Sequence, residues 1–219
     1  DILNVLTQVH QVLYYDPTAT DAETWHTSLA AARRVMAPAL AQKNGGSAPT
    51  ADLVGHSHID TAWLWPMDET IKKIARTAAN QFNLLDQYPE YRFIQSAAYH
   101  TWLMEQHYPQ VFRQLQKRVA DGRFELNGAV WVECDCNIPS GESLVRQFLW
   151  GTRYIRDKFG KEQRVFWLPD TFGYSAALPQ IMQGFGVTGF LTTKLAWNDT
   201  NRFPYETFVW KGIDGSSVV

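Results

Sequence analysis

Two histidines and an aspartate occupy alternate positions, 56, 58 and 60, directly after a short apolar run. In an extended chain alternate side chains project from one face, so His56, His58 and Asp60 can present imidazole and carboxylate to a common point. Mixed nitrogen and oxygen donors of this kind suit zinc or a similar divalent ion. The competing reading of an isolated H-x-H-x-D is a polar strand end hydrogen-bonded to loops. Further polar groups stand just past other apolar runs: Glu133, Asp135 and Asn137 after 124–132, Asp170 after 165–168, and Lys194 after 189–193. Asp170 is either a loop cap or a reactive carboxylate able to complete a ligand set. Trp63 and Trp65 follow the first cluster at once; an indole face suits the apolar side of a sugar ring, a role that fits Trp63, whereas Trp65 reads as core packing.

Other candidates read as structural. Glu142 falls in the first turn of a helix capped by Ser140, where its charge complements the helix dipole. His100 and His107 lie on a helical segment, and His10 and His26 precede a linker; all four are expected to be surface or packing residues. Cys134 and Cys136 have no second pair to complete a four-ligand zinc cluster, so they are expected to be free thiols in a reducing compartment. Asn198-Asp199-Thr200 fits a glycosylation sequon, which carries little weight without a secretory signal.

Reactive groups of a parallel α/β fold collect at the carboxyl ends of its strands, so this set demands strands and helices in alternation. The hydrophobic periods supply them. Strands are expected at 52–57, 92–97, 124–132, 164–168, 189–193 and 207–212, with helices at 68–87, 101–120, 141–159 and 177–184. Ahead of them, Ile2, Leu3, Leu6, Val9, Val12 and Leu13 share a helical face, a turn falls at Asp16-Pro17, and a second helical run spans 25–40. The stretch KNGGSAPT at 43–50 is a Gly/Ser/Pro linker, which divides the chain into a helical lead-in with its linker at 1–50 and an α/β region at 51–219. Asp214-Gly215 signals a turn, and residues 217–219 read as the start of another strand. Five or six strands leave a barrel unclosed, so more chain is expected to follow, as the initial Asp also suggests for an excised piece.

Four stretches together are specific: GHSHIDTAWLWP at 55–66, WVECDCNIPSGE at 131–142, FWLPDTFGYSAALPQI at 166–181 and LTTKLAWN at 191–198. In this order they resemble the α-mannosidases of glycoside hydrolase family 38, in their cytosolic and bacterial branch. The resemblance implies a retaining exo-α-mannosidase acting on mannose-containing oligosaccharides, with a seven-stranded β/α barrel, here partial and truncated before closure, and one divalent ion, usually zinc. By motif position it makes His58, Asp60 and Asp170 metal ligands, with Asp170 also the catalytic nucleophile, and demotes His56 to a neighbour. It makes Trp63 and Phe172 substrate-binding, with Asp135, Asn137 and Lys194 beside the sugar. It puts the acid/base aspartate and a last histidine ligand beyond residue 219, so Glu133 and Asp135 are not given those roles and residues 1–219 alone are expected to be inactive.

Composition agrees with a globular enzyme. Hydrophobic residues make up 45% of the chain, enough for a sizeable core, and 20 Lys+Arg against 22 Asp+Glu give a net charge of −2 with no basic block. Nucleic acid and membrane partners are therefore not expected. No apolar run approaches the roughly 20 residues of a membrane helix, and a cytoplasmic setting is expected. A homo-oligomer or a covering helix would shield an open sheet edge. Two rivals share the same residues: a metal-dependent amidohydrolase or deacetylase using metal-activated water, and a non-catalytic sugar-binding module.

Overall fold

The computed structural model describes residues 2–14, 21–43, 45 and 49–219, in two compact units, Asp1–Asp52 and Leu53–Val219. The turn expected at Asp16-Pro17 and much of the 43–50 linker lie outside the described residues. In the first unit, α1 (Ile2–Val12) packs on α2 (Ala22–Leu40) through Val9, Ser28 and Ala32, which are buried. Asp21 caps α2, its carboxylate accepting the Thr24 amide at 2.7 Å. That satisfies one of the amides a helix start leaves free.

The second unit alternates strands and helices. Its elements are β1 (Gly55–His56), α3 (Met67–Gln87), β2 (Phe93–Ala97), α4 (Ala98–His107), α5 (Pro109–Ala120), β3 (Phe124–Val130), α6 (Gly141–Phe159), β4 (Val165–Trp167), α7 (Leu178–Gly184), β5 (Gly189–Leu191), β6 (Trp210–Lys211) and β7 (Ser217–Val218). β1, β2 and β3 pair in parallel in that order, β4 pairs β5 in parallel, and β6 and β7 form an antiparallel hairpin. Side-chain and terminal hydrogen bonds link these sheets. The Asn127 carboxamide in β3 accepts the Val165 amide of β4 at 3.2 Å, and Val219 bonds Thr188 and Phe190 beside β5 at 3.0 and 2.6 Å.

Two departures from the periodic reading have local causes. The helix expected over 101–120 is two helices, because Pro109 pushes the preceding Tyr108 out of helical geometry to φ −136°. α4 starts earlier than expected and shows little periodicity because Ala98, His100, Thr101, Leu103 and Met104 are all buried. The hairpin of β6 and β7 is not part of a parallel pair, since Asp214-Gly215 turns the chain back tightly, with Gly215 at φ 92° and Gly212 donating to the Ser216 carbonyl at 2.8 Å.

Two buried clusters hold the unit together. One joins α3, α4 and α5 to β2 and β3 through Phe82, Phe93, Phe112, Phe124 and Leu115. The other gathers Phe148, Phe166, Leu178, Met182 and Val187 with Cys134 and Cys136, which are free and packed as small apolar groups. Gly151 of α6 lies so close to β3 that a Cβ would come within 2.3 Å of the Val130 carbonyl carbon. This close approach lets Gln147 receive the Trp131 amide on its carbonyl at 2.9 Å and the Val132 amide on its side chain at 3.0 Å. The chain leaving β3 is thereby fixed where the polar residues begin.

Candidate active site

Three loops meet beyond the ends of β1, β3 and β4. The first, after β1, is clamped by Thr70 of α3, which is fully buried. Its hydroxyl accepts the Ala62 amide at 2.9 Å and the Trp65 indole N–H at 3.0 Å, and donates to the Asp60 carbonyl at 3.1 Å. Ala62 adopts φ 61°, a left-handed conformation that a non-glycine residue holds only when its surroundings impose it. The result turns Asp60 inward and Trp63 outward, 66% exposed, edge-on to Trp65 at 5.3 Å.

The second loop depends on a bulge. β3 shifts register opposite Gln95 and Ala97 of β2, with Gly128 at φ 130° and Ala129 at φ 61°. A Cβ on Gly128 would lie 1.8 Å from the Ser96 carbonyl oxygen, so only glycine allows the approach. Bulges of this kind re-aim side chains. Here the distorted strand end leads Glu133 back to Ser96.

The third loop follows β4. Gly173, at φ 143°, has no room for a Cβ because the Asn137 carboxamide would lie 2.0 Å away. Asn137 donates to the Phe172 carbonyl at 3.4 Å, so the loops after β3 and β4 are docked together.

These loops bring His58, Asp60 and Asp170 to one point. The His58 Nε2 lies 3.2 Å from Asp60 Oδ1 and 3.1 Å from Asp170 Oδ2, and one donor atom from each residue falls within 4.8 Å of the others. The other Asp170 oxygen, Oδ1, accepts from Lys194 Nζ at 3.0 Å. That ammonium also lies 3.5 Å from the Trp197 ring centroid and 5.1 Å from that of Phe172, both rings largely exposed. Asp135 is not drawn to the cluster; its carboxylate accepts the Asn137 and Ile138 amides, each at 2.8 Å, and caps its own loop. Trp63, Phe172 and Asn137 stand on the loops around the cluster without a polar contact to its three members among the described residues.

His56 faces a different way. Its Nε2 meets Ser96 Oγ at 3.0 Å and its ring tilts against Trp167 at 5.2 Å. Alternation from one strand face fails to bring all three residues together because β1 ends at His56. Burial pushes the His56 imidazole below its ordinary range. Hydrogen bonding to Glu133 drives His58 the other way, to about 9, against a smaller effect of burial and with help from the Asp60 charge. His100 is fully buried, which takes it down to about 4, and it packs between Thr61 and Gln95 at 2.9 and 3.2 Å. His10, His26 and His107 are exposed.

The donor set fits a divalent ion. Tetrahedral ligands at about 2.1 Å from zinc lie roughly 3.4 Å apart, close to the 3.2 and 3.1 Å that separate His58 Nε2 from the Asp60 and Asp170 oxygens. Glu133, left without a role by the sequence, is the residue the fold adds, its carboxylate on the Nδ1 side of His58.

A cluster of two carboxylates and one histidine at parallel strand ends, ringed by exposed aromatic residues, stands where an α/β fold of this class places its functional site. The family model for the N-terminal domain of glycosyl hydrolases family 38 matches residues 48–219, and the chain belongs to this family. Over 178 residues it is 48% identical to human alpha-mannosidase 2C1, an alignment covering 81% of this chain and 17% of that protein. It is 49% identical to the alpha-mannosidase of Saccharomyces cerevisiae, over 76% of this chain and 15% of that one. The chain thus spans less than a fifth of the length of these curated relatives. An alpha-mannosidase from Enterococcus faecalis V583 shares the fold with a TM-score of 0.65 at 23% identity, covering 75% of this chain and 19% of that structure.

Proposed function

We propose that this chain carries the nucleophile and three metal ligands of a retaining α-mannosidase that removes terminal α-mannosyl residues from oligosaccharides. The observation that carries the reading is the convergence of His58, Asp60 and Asp170, with the free side of Asp170 held by Lys194. In this reading Asp170 attacks the anomeric carbon as the bond to the leaving oxygen breaks. A second carboxyl about 5 Å away gives that oxygen its proton, then takes one from the water that releases mannose. No described residue is given the second role; it and a further histidine ligand are assigned to the remainder of the protein, in keeping with the short span matched in the relatives. His58, Asp60 and Asp170 would hold the ion, zinc by donor type, which would supply electrostatic binding of sugar hydroxyls. Trp63 and Phe172 would line the mannose subsite with their exposed faces, and Lys194 would fix the orientation of Asp170, with Asp135 and Asn137 shaping the loop opposite.

The domain reading is a helical lead-in followed by the first part of a barrel. The Asn127 bridge between β3 and β4, and the seat of Val219 beside β5, support a continuous curved sheet. A cytoplasmic setting is in keeping with the two free, buried cysteines.

The test uses the full-length protein and a fluorinated mannosyl analogue that leaves a stable glycosyl-enzyme. Peptide mapping is expected to find the label on Asp170. An active enzyme that never acquires the label would overturn the reading in favour of attack by metal-activated water.

A further inference from the structure

The His58 imidazole is gripped from behind. Its Nδ1 meets Glu133 Oε2 on the side away from Asp60 and Asp170. The Glu133 side chain is only 8% exposed, and a buried carboxylate persists only if donors are aimed at it. It has two: the Ser96 hydroxyl on Oε1 and the His58 N–H on Oε2.

Donor counting then places the protons between Glu133, Ser96 and His56. An ionised carboxylate only accepts, so Ser96 spends its single proton on Glu133. The Ser96 oxygen must therefore accept from His56 Nε2, which lies 3.0 Å away. On the other side, Glu133 engages Nδ1 of His58, so the nitrogen left to bind a metal ion, once it has released its own proton, is Nε2, the one facing Asp60 and Asp170. Glu133 cannot itself join that donor set, because its two oxygens are engaged and the imidazole ring stands between it and the cluster. For the same reason it cannot reach a leaving-group oxygen beside Asp170.

We infer that Glu133 is a positioning residue that fixes the tautomer and orientation of His58 for metal binding, with Ser96 and His56 completing a relay that holds Glu133 in place. The inference rests on the metal-site reading above. Two features of the fold support this relay: the bulge at Gly128 that brings β3 onto the Ser96 backbone, and the Gln147 contacts that tie down Trp131 and Val132. Mutating the hydrogen-bond partner of a metal-binding histidine commonly changes affinity by about 10 to 100-fold.

The experiment measures zinc affinity of the full-length protein by competition with a chromophoric chelator at one fixed pH, and the visible spectrum of the cobalt-substituted form. His58→Ala is expected to abolish specific binding. Glu133→Ala is expected to weaken it by about 10 to 100-fold and to shift the cobalt bands. Glu133→Gln, which keeps an acceptor for the His58 N–H but loses the charge, is expected to fall between Glu133→Ala and the parent. Should Glu133→Ala fail to fold, Glu133→Gln and Ser96→Ala decide, each expected to weaken binding several-fold. A parent protein that binds no zinc, or His58→Ala binding like the parent, refutes the metal-site reading. Loss in His58→Ala with unchanged affinity and cobalt spectrum in both Glu133 variants refutes the role of Glu133 alone.

Discussion

Asp170 offers its two carboxylate oxygens to different partners, His58 at 3.1 Å and Lys194 at 3.0 Å, and this division gives Lys194 a specific role. The Lys194 side chain is 11% exposed, with its ammonium over the Trp197 ring, so its charge acts on Asp170 with reduced solvent screening. Replacing Lys194 with Met keeps the packing stem and removes the charge; kcat/KM on an aryl α-mannoside is expected to fall by roughly 10² to 10³-fold, as for other electrostatic contacts at a reacting centre. Asp170→Asn is expected to leave less than about 10⁻³ of the parent rate, the scale of losing a nucleophile. His100 makes a separate prediction. An unfolded histidine titrates near 6.5 whereas the folded one titrates at about 4, so the unfolded state alone takes up a proton between those values. The His100 contribution to stability is therefore complete above pH 6.5, is lost as pH falls through that window, and levels off near pH 4. Thermal unfolding of His100→Gln against the parent should show a shallower loss of stability between pH 6.5 and 4, and superimposable pH profiles would refute the assignment. His58, Asp60 and Asp170 could be singled out in sequence because each follows an apolar run with chemistry that suits a metal. Glu133 could not be given a role there, since E-C-D offers two carboxylates at alternate positions, which an extended chain would present to the same side, and only the folded loop sends Glu133 to His58 and Asp135 to its own backbone.

At the scale of elements, α3 acts on the site through one hydroxyl. Thr70→Val keeps the shape but removes the acceptor of the Ala62 amide and the Trp65 indole, both within reach of water, at a cost of about 1 kcal/mol for each hydrogen bond lost. The melting temperature is expected to drop and KM to rise, because the freed loop carries both Asp60 and Trp63; Thr70→Ser, which retains the hydroxyl, should restore both. A drop in stability with KM unchanged would limit Thr70 to a packing role. Sequence periodicity located α3 and α6 because their apolar faces are one-sided, and β2 and β3 because they are short, largely apolar runs buried on both sides; Ser140 caps α6 with its hydroxyl 3.2 Å from the Ser143 amide. It overlooked the break at Pro109 and the early start of α4, whose nearly all-round burial erases the period. It also overextended β1: residues 52–54 are exposed, and the chain leaves the sheet after His56 to be turned by Ala62. Strand ends are where tertiary contacts outweigh local preference, and they are also where this site is built.

Across the whole molecule, charge and surface point to different conclusions. The net charge of −2 offers no field for nucleic acid, and no described helix is long and apolar enough to cross a membrane. Yet large apolar side chains lie open in the second unit: Leu53 is 91% exposed, Leu64 83%, Ile138 90% and Ile213 78%. Leu64 and Ile138 stand on the loops that carry Trp63 and Asn137, so part of this apolar surface rings the cluster itself. Such surface is normally covered by more protein. The occupant proposed here is the remainder of the enzyme, since the chain matches only 17% of the human relative; a second copy of the chain is the competing occupant. The two differ in what residues 1–219 do alone. With three donors and no acid/base carboxyl, this piece is expected to hydrolyse no aryl α-mannoside, to bind zinc at least about 10-fold more weakly than the full-length protein, and to enhance the fluorescence of a hydrophobic dye. If instead a homo-oligomer covers the apolar residues, light scattering will show a stable dimer or larger species with no dye enhancement. Measurable turnover by the piece would be decisive in another direction, because a residue within 1–219 would then have to supply the proton to the leaving group. With both oxygens of Glu133 held by Ser96 and His58, and Asp135 closing its own loop, the fold leaves neither carboxylate of the loop after β3 free to do so.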